Sequence, residues 1–115
     1  MIDSYTTIVF GWKFTGDKKD KFEELIEELG YYDDNYAIFE DVFVDDTMCG
    51  EYCYFGPIVF HEDNNEDWHS SFDKIDFDRH MKNFTKWKND NSEIWKKIEP
   101  FCKSESHIYI FNQMS

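Results

Sequence analysis

Between residues 5 and 14 the segment YTTIVFGWKF alternates, with Ile8, Phe10, Trp12 and Phe14 on one side and Tyr5, Thr7, Val9 and Lys13 on the other. Such alternation predicts a half-buried strand. The period then changes. In DKKDKFEELIEELG, Phe22, Leu25, Ile26 and Leu29 recur at helical spacing, with Asp17 placed to cap the start and Gly30 to stop the end. Residues 36–45, YAIFEDVFVD, and 51–61, EYCYFGPIVFH, are rich in β-branched and aromatic residues and read as two strands of a hairpin around DDTMCG. Gly56 and Pro57 interrupt the second run. Proline has no N–H for a ladder, so a bulge, a break or an edge position is expected there.

Residues 62–76 are too polar for a regular element and predict a long loop. After Asp76 or Asp78, either able to cap, helical spacing resumes at Phe77, Met81, Phe84 and Trp87. The run NDNS at 89–92 offers the backbone competing hydrogen bonds and divides this helix, with Ser92 placed to cap a second piece carrying Ile94, Trp95 and Ile98. SHIYIFNQ at 106–113 alternates again as a final strand. The order β-α-β-β-α-β predicts a single α+β domain over residues 1–115. Its sheet is ferredoxin-like or a related antiparallel arrangement, with helices on one face.

Composition changes the picture of the core. Twelve Phe, seven Tyr and four Trp stand against two Leu (Leu25, Leu29) and one Ala (Ala37), so rings carry most of the packing. The abundance of Phe, Tyr, Ile, Lys, Asn and Asp beside one Arg (Arg79) fits an AT-rich genome, as in a virus, a phage, a protist or a low-GC bacterium. No apolar stretch approaches the roughly 20 residues that cross a bilayer, and MIDSYTT lacks the pattern of a signal peptide. A location in the cytoplasm or in a host cell interior is expected, with Cys49, Cys53 and Cys102 as reduced thiols.

The formal net charge is −13. Residues 1–78 hold 21 acids against 5 lysines, whereas residues 79–115 hold 4 acids against 7 bases. This balance disfavours direct contact with nucleic acid or an anionic membrane and favours a basic protein partner. The acidic candidates for that contact are Asp33, Asp34, Glu40, Asp41, Asp45, Asp46, Glu51, Glu62, Asp63, Glu66 and Asp67, all from expected strand ends and loops. The basic set Arg79, Lys82, Lys86, Lys88, Lys96 and Lys97 reads as a solvated helix face.

Every predicted strand carries apolar residues on both faces. A sheet with helices on one side would therefore leave an open aromatic face, marked here by Tyr5, Val9, Phe55 and Tyr109. Base stacking by such a face is opposed by the charge and by the missing basic, glycine-rich motif. A protein partner or a second copy is favoured, unless the 62–76 loop with Trp68 and Phe72 covers the face.

The chemistry-bearing patterns are sparse. Cys49 and Cys53 are separated by three residues, with His61 and His69 as the nearest further ligands, and the segment 61–69 groups two imidazoles with four carboxylates. The glycine of an EF-hand loop is absent, and so are the nucleophile elbow, the P-loop and the dinucleotide fingerprint. No cofactor or metal is expected. The leading expectation is a non-enzymatic acidic protein that occupies a basic site on a partner, by nucleic-acid mimicry or by inhibition of a host factor. The alternatives are a small metal-dependent hydrolase using residues 61–69 and a self-associating structural protein.

Overall fold

A computed structural model describes residues 4–45, 50–63 and 75–114 of the chain. Strand β1 (Ser4–Thr15) is its spine. Strands β4 (Ile58–Asp63) and β5 (His107–Met114) both pair with residues 5–9 of β1, so they lie on its opposite edges. Strand β3 (Tyr52–Phe55) continues the line of β4, and β2 (Phe43–Asp45) pairs with β3. The result is a five-stranded sheet, antiparallel throughout, in the lateral order β2, β3 with β4, β1, β5. Among the described residues four α-helices complete an α+β arrangement: α1 (Gly16–Glu28), α2 (Tyr36–Phe39), α3 (Phe77–Asp90) and α4 (Ser92–Ile98).

The interruption expected at Gly56 and Pro57 divides the second run into β3 and β4 without ending its pairing. Rungs continue from Trp12↔Phe55 to Val9↔Ile58. Between them the Phe10 N–H donates to Pro57 O at 3.1 Å, and the return bond cannot form because Pro57 has no N–H. On the other side, Gly56 and Ile58 donate to the carbonyls of Val42 and Asp41 at 2.8 and 3.0 Å. A proline is thereby accommodated inside the sheet. A further register shift lies between Ile8 and Val9.

The helices pack on the sheet face that carries Trp12, Phe14, Cys53 and Phe55. Phe22 of α1 is fully buried at the centre, with ring centroids 4.5 Å from Phe14, 5.7 Å from Phe55 and 5.3 Å from Phe101. Phe84 and Trp95 of α3 and α4 close over Phe55 at 6.0 and 6.2 Å. The indole N–H groups of Trp87 and Trp12 are satisfied by the carbonyls of Ile38 and Ser104, at 2.7 and 2.8 Å. Rings with a polar handle thus tie loops to the core.

Several local expectations change. Residues 36–45 do not form one strand. Tyr36–Phe39 is a single helical turn, started by the Ile38 N–H donating to Asn35 O, and only Phe43–Asp45 is extended. The helical turn places Phe39 fully in the core, a packing gain that overrides strand propensity. Thr15, not Asp17, stands at the start of α1, without a side-chain cap. Asp76 does cap α3, accepting from the Arg79 N–H at 3.1 Å. The break after α3 falls on Asn91, whose side chain donates to Trp87 O at 3.0 Å, and Ser92 makes no cap.

The opposite face is not an open platform. Val9, Val44 and Tyr54 are buried there, with Tyr109 and Phe111 packed against them. Tyr54 pairs through Lys13 and Phe111 through Thr7, six residues apart along β1, which in a flat strand is about 20 Å. Yet the two rings stack with centroids 4.1 Å apart. β1 must therefore coil strongly, bringing both ends of the sheet together on this side. Two of the expected open-face residues are corrected by this geometry. Val9 is 0% exposed within the closed face, and Phe55 is 0% exposed on the helix side. Tyr5 and Tyr109 remain half-buried, with Tyr5 stacked on His61 at 5.1 Å.

Candidate functional site: a tyrosine and carboxylate cleft

The site begins at the end of α1. Gly30, at φ +89°, lets the chain turn back: its N–H donates to Glu27 O, and the Tyr31 N–H donates to Ile26 O. This paired closure is the Schellman arrangement, which needs the left-handed conformation that glycine adopts freely. Asn35 locks the following turn, with its N–H on Gly30 O at 3.0 Å and its side-chain amide on Leu29 O at 2.8 Å. A Cβ on Gly30 would lie 2.8 Å from that amide nitrogen, so both residues are fitted to each other.

This turn presents three tyrosines together. Tyr31 is anchored edge-on against Phe43 at 5.0 Å, and its ring is met by Tyr32 at 4.9 Å and by Tyr36 at 5.3 Å. Tyr32 and Tyr36 are 63% and 53% exposed, the only exposed Phe, Tyr or Trp rings among the described residues. With Glu40, Asp41 and Asp45 they line a cleft of about 560 Å³, within the size range of ligand sites. Phe43, Val44, Ile58 and His61 complete its lining.

The electrostatics of the cleft are predominantly negative. The Tyr32 hydroxyl is pushed above its ordinary pKa, first by partial burial and then by the carboxylates of Asp45, Glu23 and Glu27, with Lys19 opposing. Tyr31 is pushed up to about 12, again by burial first, then by Tyr36, Tyr32 and Asp45. Charge from β2 thus acts on both rings, and charge from α1 acts on Tyr32. Tyr32 also borders a groove along α1 formed with Asp20, Lys21, Glu23, Glu24 and Glu27. Lys19 is paired with Glu23 beside it, and this bond is the main reason its ammonium pKa is raised.

Of the acidic residues singled out from the sequence, Glu40, Asp41 and Asp45 are brought together in the cleft. Asp33 and Asp34 are exposed on the tyrosine turn. Glu62 is exposed on β4, and Glu51 lines a separate depression with Lys19 and Asp20. Asp63 ends β4, and Asp46, Glu66 and Asp67 lie outside the described residues. So do Cys49, His69, Trp68 and Phe72, which belong to the cysteine–histidine ligand set, the hydrolase alternative and the covering loop. Among the described residues no three His, Cys, Asp or Glu side chains group as metal ligands. Cys53 is buried beneath the helices, and burial pushes its thiol far up. No helix among the described residues is long and apolar enough to cross a membrane.

The reading from sequence missed Tyr31, Tyr32 and Tyr36, and it missed the acidic face of α1. The helical spacing of Asp20, Glu23, Glu24 and Glu27 held the second signal. Tyr36 is hidden by the strand composition of residues 36–45, and Tyr31 and Tyr32 follow the helix stop at Gly30 with no periodic pattern. No family model matches the chain, and neither a curated protein nor a solved structure is found to match it.

Proposed function

We propose that the chain is a non-enzymatic binding protein whose acidic surface occupies a basic site on a partner protein, of the kind that otherwise receives nucleic acid. The observation that carries this reading is the convergence of Glu40, Asp41 and Asp45 on a cleft rimmed by exposed tyrosines. Tyrosine is a favoured anchor at protein interfaces because it offers large contact area with a polar tip. The surrounding carboxylates supply steering: summed like charges raise the encounter rate with an oppositely charged surface. The mechanism is steric and electrostatic competition, and it needs no bond-making chemistry.

Capture from a cell lysate on the immobilised protein, with and without competing heparin, tests the reading. Basic nucleic-acid-handling proteins should be retained at low salt and released by either heparin or raised salt. Retention only of neutral or acidic proteins, or retention indifferent to both treatments, rejects it.

A further inference from the structure

Elsewhere in the protein, lysines lie over rings of the core and its margin. Lys13 lies 3.8 Å from the Tyr52 ring centre, Lys18 lies 5.2 Å from Phe14, and Lys88 lies 4.9 Å from Phe84 and 5.3 Å from Trp95. Tyr31, Tyr32 and Tyr36 have no such cover among the described residues, and no lysine or arginine among those residues lines their cleft. The exposed Tyr32 and Tyr36 rings, the adjoining carboxylates of Glu40 and Asp41, and the predominance of negative charge around them favour a cation.

We propose that the cleft is the seat of one arginine side chain of the basic partner, with its guanidinium against Tyr32 and Tyr36 and its N–H groups on Glu40 and Asp41. Arginine fits better than lysine for two physical reasons. Its plane stacks on aromatic rings while its edge donates to carboxylates, and it gives up hydration more readily than an ammonium. The cleft volume of about 560 Å³ leaves room for flanking backbone of an extended peptide. This inference rests on the proposed function and names the anchor within it.

Hexa-arginine and hexa-lysine peptides carry the same charge and separate the anchor from general attraction. Titrated calorimetrically against the full chain at low salt, hexa-arginine should bind about tenfold more tightly than hexa-lysine. Replacing both exposed rings, Tyr32→Ala with Tyr36→Ala, should remove that preference, weakening hexa-arginine much more than hexa-lysine. Circular dichroism checks that the double variant remains folded, and the single variant Tyr36→Ala serves if it does not. Equal affinity for the two peptides, or a preference that survives loss of the rings, overturns the arginine seat while leaving the acidic-surface reading standing. Failure of both peptides to bind overturns both.

Discussion

Gly11 and Gly56 meet backbone to backbone where β1 passes the junction of β3 and β4: a Cβ on Gly11 would lie 2.8 Å from Gly56 Cα and 2.1 Å from Phe55 O. The reverse is equally tight, since a Cβ on Gly56 would lie 2.4 Å from Phe10 O, and Gly56 also sits at φ +143°. Two strands that touch through hydrogen atoms alone can cross closely, and this crossing lies where β1 coils between the Thr7 and Lys13 rungs.

Either Gly11→Ala or Gly56→Ala should therefore destabilise the fold by about 1–3 kcal/mol through overpacking against backbone that has no rotamer to yield. Combining them should cost less than the sum, because both act on one contact. Urea midpoints of the three variants give the comparison, and strict additivity would count against a shared contact.

Phe22 is the centre of the ring core, and Phe22→Ala should cost about 3–5 kcal/mol by loss of burial and creation of a cavity. By contrast, Tyr32→Ala should move stability by only about 0.5 kcal/mol, since that ring is 63% exposed. Equal costs for the two substitutions in chemical denaturation would contradict the division between core rings and cleft rings.

Tyr31 ionises at 10.0 ordinarily and at about 12 in the fold, because burial and then its neighbours disfavour the phenolate. Between those values the unfolded chain has released a proton that the folded chain keeps, so stability is whole below pH 10 and falls as pH rises. Lys19, raised above 10.5 first by its bond to Glu23, contributes stability that is lost in the same alkaline direction. The urea midpoint should drop between pH 9 and pH 12, and less steeply in Tyr31→Phe. A flat midpoint, or an identical drop in the variant, would exclude this linkage.

Burial pushes the Cys53 thiol far above its ordinary range and that of Cys102 to about 12. Only the thiolate reacts readily, so at pH 8 both should be labelled by N-ethylmaleimide on the order of 100-fold more slowly in the native chain than in urea. Peptide mapping after a short pulse reads each cysteine separately. Prompt native labelling of Cys53 would place it outside the core.

The elements legible in the sequence were those with a sustained period. The alternation of β1 and the Phe22, Leu25, Ile26, Leu29 stripe appear as a strand and a helix, and Gly30 closes α1 as read. What failed was the face of the second run. Cys53 and Phe55 alternate with Tyr54 either way, and only the register Phe14↔Cys53 and Trp12↔Phe55 decides which set faces the helices. The closed opposite face followed from the coil of β1, a property of backbone geometry that no residue pattern displays. In the site, the carboxylates of Glu40, Asp41 and Asp45 were visible as charge. Their tyrosine setting was hidden because YAIF at 36–39 has strand composition and becomes helical only to bury Phe39.

The most direct test of the account asks whether the cleft carboxylates, rather than net charge, hold a basic partner. The dissociation constant of hexa-arginine should be measured at about 20 mM and about 300 mM salt, which change the screening length several-fold. The comparison is between Glu40→Gln, Asp41→Asn, Asp45→Asn and a charge-matched control, Glu93→Gln, Glu99→Gln, Glu105→Gln, whose sites are exposed on or beyond α4. Binding should weaken as salt rises, with a loss of about tenfold or more in the cleft variant and little change in the control. Equal losses in the two variants, or an affinity indifferent to salt, would rule out the cleft as the seat of the basic partner.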